Sequence, residues 1–237
     1  MLELNCGSGV NKPDVSSRDD SRLVECDLRE PGRLAYADAF QLQLSLAARC
    51  RRGEIKAALI LLEHEPVITM GAAAKQANLL LSKAALNKLG ISVVQTDRGG
   101  DVTYHGPGQV VGYPILNLRE LKLDAHGYLR NLEEVVIRAL EGYGLVGSRH
   151  GAAGVWVGDR KICSIGIAVR RMVTYHGLAF NVAPNMRHFS YINPCGLDAA
   201  KVTCLADLLD SPPDMAEVMS GLRRRFAEVF NVRFVRS

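Results

Sequence analysis

The chain has 237 residues and is 48% hydrophobic, enough for a substantial core without covalent staples. Its formal net charge of +4 falls short of a nucleic-acid footprint and suits an acidic protein partner. No stretch reaches the roughly 18 apolar residues of a membrane span, so a soluble protein with neither nucleic acid nor membrane as partner is expected.

The first 21 residues lack the basic start and apolar run of a signal peptide and read as a flexible extension, leaving 22–237 as a single domain. The cysteines (Cys6, Cys26, Cys50, Cys163, Cys195, Cys204) form no regular framework, and no two are separated by only two residues. Disulfides, a zinc ribbon and a thioredoxin-type pair are therefore disfavoured, and free thiols in a cytoplasmic setting are expected, with no metal.

From Leu34 to Arg52, Tyr36, Phe40, Leu44 and Ala47 recur at helical spacing. The run Ala57 to Leu62 is continuous, apolar and short, the mark of a buried strand. Ser82 should cap a short helix closed by Gly90, with a strand over Ile91 to Thr96. Asp124 opens a second helix carrying Leu129, Leu132, Val136, Ala139 and Tyr143, stopped near Gly144. Val155-Trp156-Val157, the turn Gly158-Asp159 and Ile162 to Val169 read as a hairpin with Lys161 at the head of its second arm. Thr174 to Val182 is a further strand, and Asp214 caps a closing helix with Val218, Leu222, Phe226 and Val229 inward. Hairpins between helices predict an α/β fold, a mixed β-sheet with packed helices.

Three stretches and a tripeptide carry the candidate chemistry. Arg98 to Gln109 (RGGDVTYHGPGQ) is costly in glycine unless the backbone turns tightly or meets a ligand, and a long hairpin or plain Ω-loop with a hydrogen-bonded His105 fits equally well. Its spacing matches neither the P-loop nor the dinucleotide fingerprint. Lys161 to Gly166 (KICSIG) and Tyr175 to Asn181 (YHGLAFN) are strands whose glycines either receive an acyl chain or cofactor against the backbone or mark bulges. Pro194-Cys195-Gly196 sets a thiol on a stiff, sharp loop. A thiol acts as thiolate, and an ammonium such as that of Lys161 favours that form and carries its proton, although a buried packing cysteine suits the tripeptide too. Cys163 in mid-strand and Cys204, on a predicted helix among Val202, Leu205 and Leu208, read as packing residues.

The strings RGGDVTYHGPGQ, KICSIG, HGLAFNV and INPCG, with LLEHEPVIT upstream, resemble in order and spacing the octanoyltransferase (lipoate-protein ligase B) family over Leu34 to Leu209. One departure is Ala72-Ala73-Ala74, where the family continues from Gly71 with an arginine. The resemblance implies a catalytic domain of the biotin/lipoate protein ligase kind. It also implies Cys195 as the residue acylated to a thioester and Lys161 as its proton shuttle. The acyl group would be held by Arg98, Gly99, Gly100, Asp101, Val102, Thr103, Tyr104 and His105, by Ser164, Ile165 and Gly166, and by Gly177, Leu178 and Ala179. Acyl carrier protein is the implied octanoyl donor. The implied acceptors are lipoyl domains of 2-oxoacid dehydrogenase E2 subunits and glycine cleavage H protein. A donor thioester is already activated, so neither ATP nor another cofactor is expected. The alternatives are an ATP-using lipoate ligase, a cysteine hydrolase pairing Cys195 with His105 or His176, and a noncatalytic lipoyl-binding scaffold.

Overall fold

The computed structural model describes residues 23–151, 153–193 and 201–235. Strand β1 (Val24–Leu34) runs into helix α1 (Tyr36–Arg51), followed by β2 (Ala57–His64) and β3 (Val67–Met70). Helix α2 (Lys83–Lys88) and β4 (Ser92–Gln95) come next, as expected between Ser82 and Thr96. The Ser82 hydroxyl accepts from the Ala85 N–H, the capping bond that starts α2. Strands β5 (Val102–His105) and β6 (Gln109–Leu116) precede helix α3 (Ala125–Glu141), which Asp124 caps through the Gly127 N–H at 2.7 Å. Then come β7 (Gly147–Ser148), β8 (Gly154–Val157), β9 (Arg160–Arg170) and β10 (Val173–Asn181). Helix α4 (Met215–Phe230) and β11 (Val232–Val235) finish the described chain.

Among the described residues the strands form an eight-stranded sheet in the order β11-β1-β2-β6-β10-β9-β8-β7 and a three-stranded sheet, β4-β3-β5. Pairing in the large sheet is parallel for β1 with β2 and β11, and antiparallel from β2 through β6, β10 and β9 to β8 and β7, so the sheet is mixed as expected. Alternate residues of the central strands face opposite sides. Leu59, Leu61, Val110, Leu178 and Phe180 meet α3 and α4 in the largest core, whereas Ile60, Leu62, Val111, Tyr113 and Ala179 meet α1. Burial on both sides is why Ala57 to Leu62 shows no polar alternation. A third core of Ile68, Met70, Leu86, Tyr104 and Phe189 lies under the small sheet.

Four expectations are corrected. Helix α1 buries Tyr36, Ala39, Gln43, Leu46, Ala47 and Cys50, so Phe40 and Leu44 lie at the edge of its inner face. The hidden member is Gln43, a polar residue kept inside by accepting from the His176 N–H of β10. Asp214 occupies the cap position of α4, yet its carboxylate makes no capping bond, and Phe230 rather than Val229 is buried. Cys204 lies on no long helix but precedes a short 3-10 turn, Leu205–Asp207. Arg98 to Gln109 is not one loop, since Val102–His105 pairs in the small sheet and the chain then crosses to β6 of the large one.

Candidate active site

The register of β9 and β10 sets Ser164 opposite Ala179 and Gly166 opposite Gly177, while β6 sets Val111 beside Ala179. Four small residues thus share one face of the central sheet and leave a trough in it. The trough is a cavity of about 180 Å³. Val111 and Tyr113 form one side, and Arg98, Gly100 to Thr103 and His105 cross from the small sheet. Lys161 stands in its wall where β9 begins, and Tyr36 and His176 line it too. Gly177 admits no larger side chain, because a methyl there would stand 2.2 Å from Gly112 O.

A buried hydrogen-bonded series ties these parts together. The Arg98 guanidinium donates through Nε and Nη2 to Thr69 Oγ1 at 3.2 and 3.0 Å, and through Nη2 to Thr69 O at 2.8 Å. With its oxygen so occupied, the Thr69 hydroxyl directs its proton to His105 Nε2, 3.3 Å away. His105 Nδ1 donates to Gln109 Oε1, and Gln109 Nε2 donates to Asn181 Oδ1, each at 2.8 Å. Asn181 in turn donates to Thr203 O, and the Thr203 N–H binds Lys161 O at 2.9 Å. His105 is held well below its ordinary pKa first by burial and then by His64 and Arg98, so the imidazole in this series is neutral. His64 donates from Nδ1 to Leu34 O and accepts from the Tyr113 hydroxyl at 2.7 Å, with its pKa pulled down to about 4 by burial.

His176 adopts φ +57 within β10, a strained setting for a side chain of this size. The opposing position in β6 is Pro114, which has no N–H for the ladder, and Pro114 O is taken by the Thr174 hydroxyl at 2.8 Å. Released from its neighbour strand, the His176 N–H binds Gln43 Oε1 of α1 at 2.8 Å. The kink brings the imidazole toward α1, stacked on Phe40 with centroids 5.5 Å apart. Its Nε2 donates to Asp97 at 2.8 Å, and Nδ1 faces the Tyr36 hydroxyl at 3.5 Å. Burial lowers the His176 pKa, while the bonds from His176 and Tyr175 hold Asp97 below its ordinary value.

Lys161 is only 7% exposed. Its Nζ stands 5.6 Å from the Trp156 ring centroid, a cation–π placement. Space for its stem comes from Gly154, where an added methyl would lie 2.3 Å from Cys163 O and 2.5 Å from Lys161 Cε. The Gly154 N–H is held by the buried Glu133 carboxylate, which also pairs with Arg130 and Arg149. Gly154→Ala is expected to displace the Lys161 amine and slow acyl transfer by about 10²-fold, the scale of an ångström's misplacement. Steady-state rates alongside a melting curve test this, and a folded variant with wild-type turnover would refute it.

Most of the residues expected at the acyl group line this trough: Arg98, Gly100, Asp101, Val102, Thr103, His105, Ser164, Ile165, Gly166, Gly177, Leu178 and Ala179. Gly99 and Tyr104 do not. Gly99 ties its loop to β9 through Ile167 O, and the Tyr104 ring lies in the third core with its hydroxyl 2.8 Å from His188 Nδ1. Cys195 lies outside the described residues. Cys163 and Cys204 are buried, their thiols pushed up to about 12 and about 11, the behaviour of packing residues. At the Ala72-Ala73-Ala74 departure the backbone makes the contacts, with Ala72 N–H on Arg98 O and Ala73 N–H on Gly100 O. Sequence reasoning missed Tyr36 and Tyr113 as site residues. Tyr36 read only as part of a helical stripe, and Tyr113 lies between Gly112 and Pro114 in β6, a strand that the sequence reading did not single out.

Among the described residues no group of three or more His, Cys, Asp or Glu side chains could hold a metal, and no helix is long and apolar enough to cross a membrane. A mixed sheet with an amine at an apolar trough suits an enzyme that handles acyl groups, and residues 35–227 match the lipoyl protein ligase A/B catalytic domain. The fold is similar to that of a lipoate-protein ligase A solved with ATP, with a TM-score of 0.70 at 19% identity, covering 91% of this chain and 88% of that one. Octanoyltransferases from Alkaliphilus metalliredigens and Chloroflexus aurantiacus are 47% and 49% identical, each alignment covering 84% of this chain and 93% or 91% of the relative. The chain belongs to the octanoyltransferase family, within the lipoyl protein ligase A/B catalytic domains, and is an acyltransferase.

Proposed function

We propose that this protein transfers octanoyl from octanoyl-acyl carrier protein, through a thioester on Cys195, to a lysine of lipoyl domains. The observation that carries the reading is the buried Lys161 amine in the wall of an apolar trough floored by Ser164, Gly166, Gly177 and Ala179. Phe189 and Val202, which bracket Cys195 in sequence, both line the same cavity. In the first half-reaction the Cys195 thiolate attacks the donor carbonyl, the carbon–sulfur bond to the carrier breaks, and the carrier thiol leaves with a proton. In the second, the acceptor amine attacks, an amide forms, and Cys195 leaves as a thiol. Lys161 stabilises the thiolate as ammonium and takes the acceptor's proton as neutral amine. Arg98, whose donors Thr69 and Gly99 O occupy, acts by shaping the trough.

The test is intact mass after mixing the protein with octanoyl-acyl carrier protein without ATP. Gain of one octanoyl group, lost again when a lipoyl domain is added, supports the reading. An unchanged mass together with transfer only when ATP is supplied favours the ligase alternative, and loss of the octanoyl group to water without acceptor favours the hydrolase. The net positive charge should also speed encounter with an acidic carrier. Rising salt is therefore expected to lower kcat/KM for the carrier-bound donor more than for a small octanoyl thioester, and equal sensitivity of the two donors would remove the steering argument.

A further inference from the structure

Tyr36 is a wall shared by two cavities. One is the trough, and the other is a second space of about 140 Å³ that Phe40, Gln41, Val94, Gln95 and Thr96 also line. The ring is the first residue of α1 and is 6% exposed. It is held on several sides: stacked on Phe40 at 6.3 Å and on His105 at 6.4 Å, with its hydroxyl aimed at His176 Nδ1. His176 is itself fixed by Asp97 and by Gln43.

The positions along the strands give the trough a direction. Lys161 lies at the start of β9, its Cε stands beside Gly154, which pairs with Ser164, and Gly166 is two residues on from Ser164, roughly 7 Å of strand. Gly166 pairs with Gly177, which His176 immediately precedes. An acyl group with its carbonyl at Lys161 therefore runs over Ser164 and Ala179, then over Gly166 and Gly177, toward Tyr36 and His176. We infer that the Tyr36 ring sets the longest acyl chain this enzyme accepts. Tyr36 is the residue common to the linings of the trough and of further space of comparable size, so a side chain rather than the backbone of the sheet stands between them. The inference rests on the trough being the acyl site.

The experiment measures kcat/KM for hexanoyl, octanoyl, decanoyl and dodecanoyl carrier-protein donors with wild type, Tyr36→Ala and Tyr36→Phe. Binding of free octanoate and dodecanoate is followed by calorimetry, which needs no transfer chemistry. Tyr36→Ala is expected to raise the dodecanoyl-to-octanoyl ratio by roughly tenfold or more, the scale on which apolar pockets discriminate by methylene count. Tyr36→Phe should keep the wild-type ratio, because the ring and not the hydroxyl makes the wall. Should Tyr36→Ala fail to fold, Tyr36→Leu retains more of the buried volume and repeats the test. A truncated variant whose ratio stays at the wild-type value, in transfer and in binding, overturns the inference while leaving the acyl reading intact. Wild-type protein that binds no octanoate and transfers none overturns both.

Discussion

Cys195→Ala is expected to abolish acyl-enzyme formation and to lower octanoyl transfer by on the order of 10³-fold or more, as removal of a nucleophile does. The described thiols offer no substitute. Cys26, Cys50, Cys163 and Cys204 are all buried, and burial raises each of their pKa values, so none presents a thiolate near neutral pH. Cys163→Ala and Cys204→Ala should instead lower the melting temperature while the acyl-enzyme still forms. Mass spectrometry of the three variants after exposure to donor separates these outcomes. Near wild-type transfer by Cys195→Ala would mean that the acyl group passes directly from donor to acceptor.

Lys161→Ala is expected to slow both half-reactions, by roughly 10²- to 10⁴-fold for the step in which it moves a proton. Lys161→Arg discriminates charge from proton transfer. A guanidinium keeps the positive charge that favours a thiolate but does not give up a proton near neutral pH. The room beside Gly154 is also shaped to a slender stem, with Lys161 Cε against the glycine. Single-turnover kinetics should therefore show acylation partly retained in Lys161→Arg and transfer to the acceptor amine largely lost. If Lys161→Ala leaves both half-reactions and the pH profile unchanged, the shuttle assignment fails and His105 becomes the next group to test. Its burial beneath Arg98 and His64 makes it a weak proton acceptor, which already disfavours it.

The legible parts of this protein are those written in short-range patterns. The Ser82 and Asp124 caps, the Gly158-Asp159 hairpin and the unbroken run in β2 each follow from neighbouring residues, and all are where the sequence places them. The clustering of Arg98, Gly100 to Thr103, SIG and GLA around one trough was foreseeable only from resemblance, because composition alone left the glycines open to a bland reading. Strand β1 carried no alternating signal, since its buried positions Cys26 and Asp27 are adjacent and its later residues are exposed.

What the tertiary structure alone decided is which partners the buried polar groups of the site find. Gln43 looks misplaced on the inner face of α1 until His176, 133 residues away, presents its N–H. The register of β6 and β10 sets Pro114 opposite His176, and the neutral state of His105 depends first on its burial and then on His64 and Arg98. Tyr36 reads as one member of a helical stripe, yet in the fold it lines two cavities. Helix periodicity, caps and turns are set by the backbone within a few residues, so the sequence by itself determined them. Hydrogen-bond satisfaction and cavity shape are set by which distant surfaces meet, and that only packing determines.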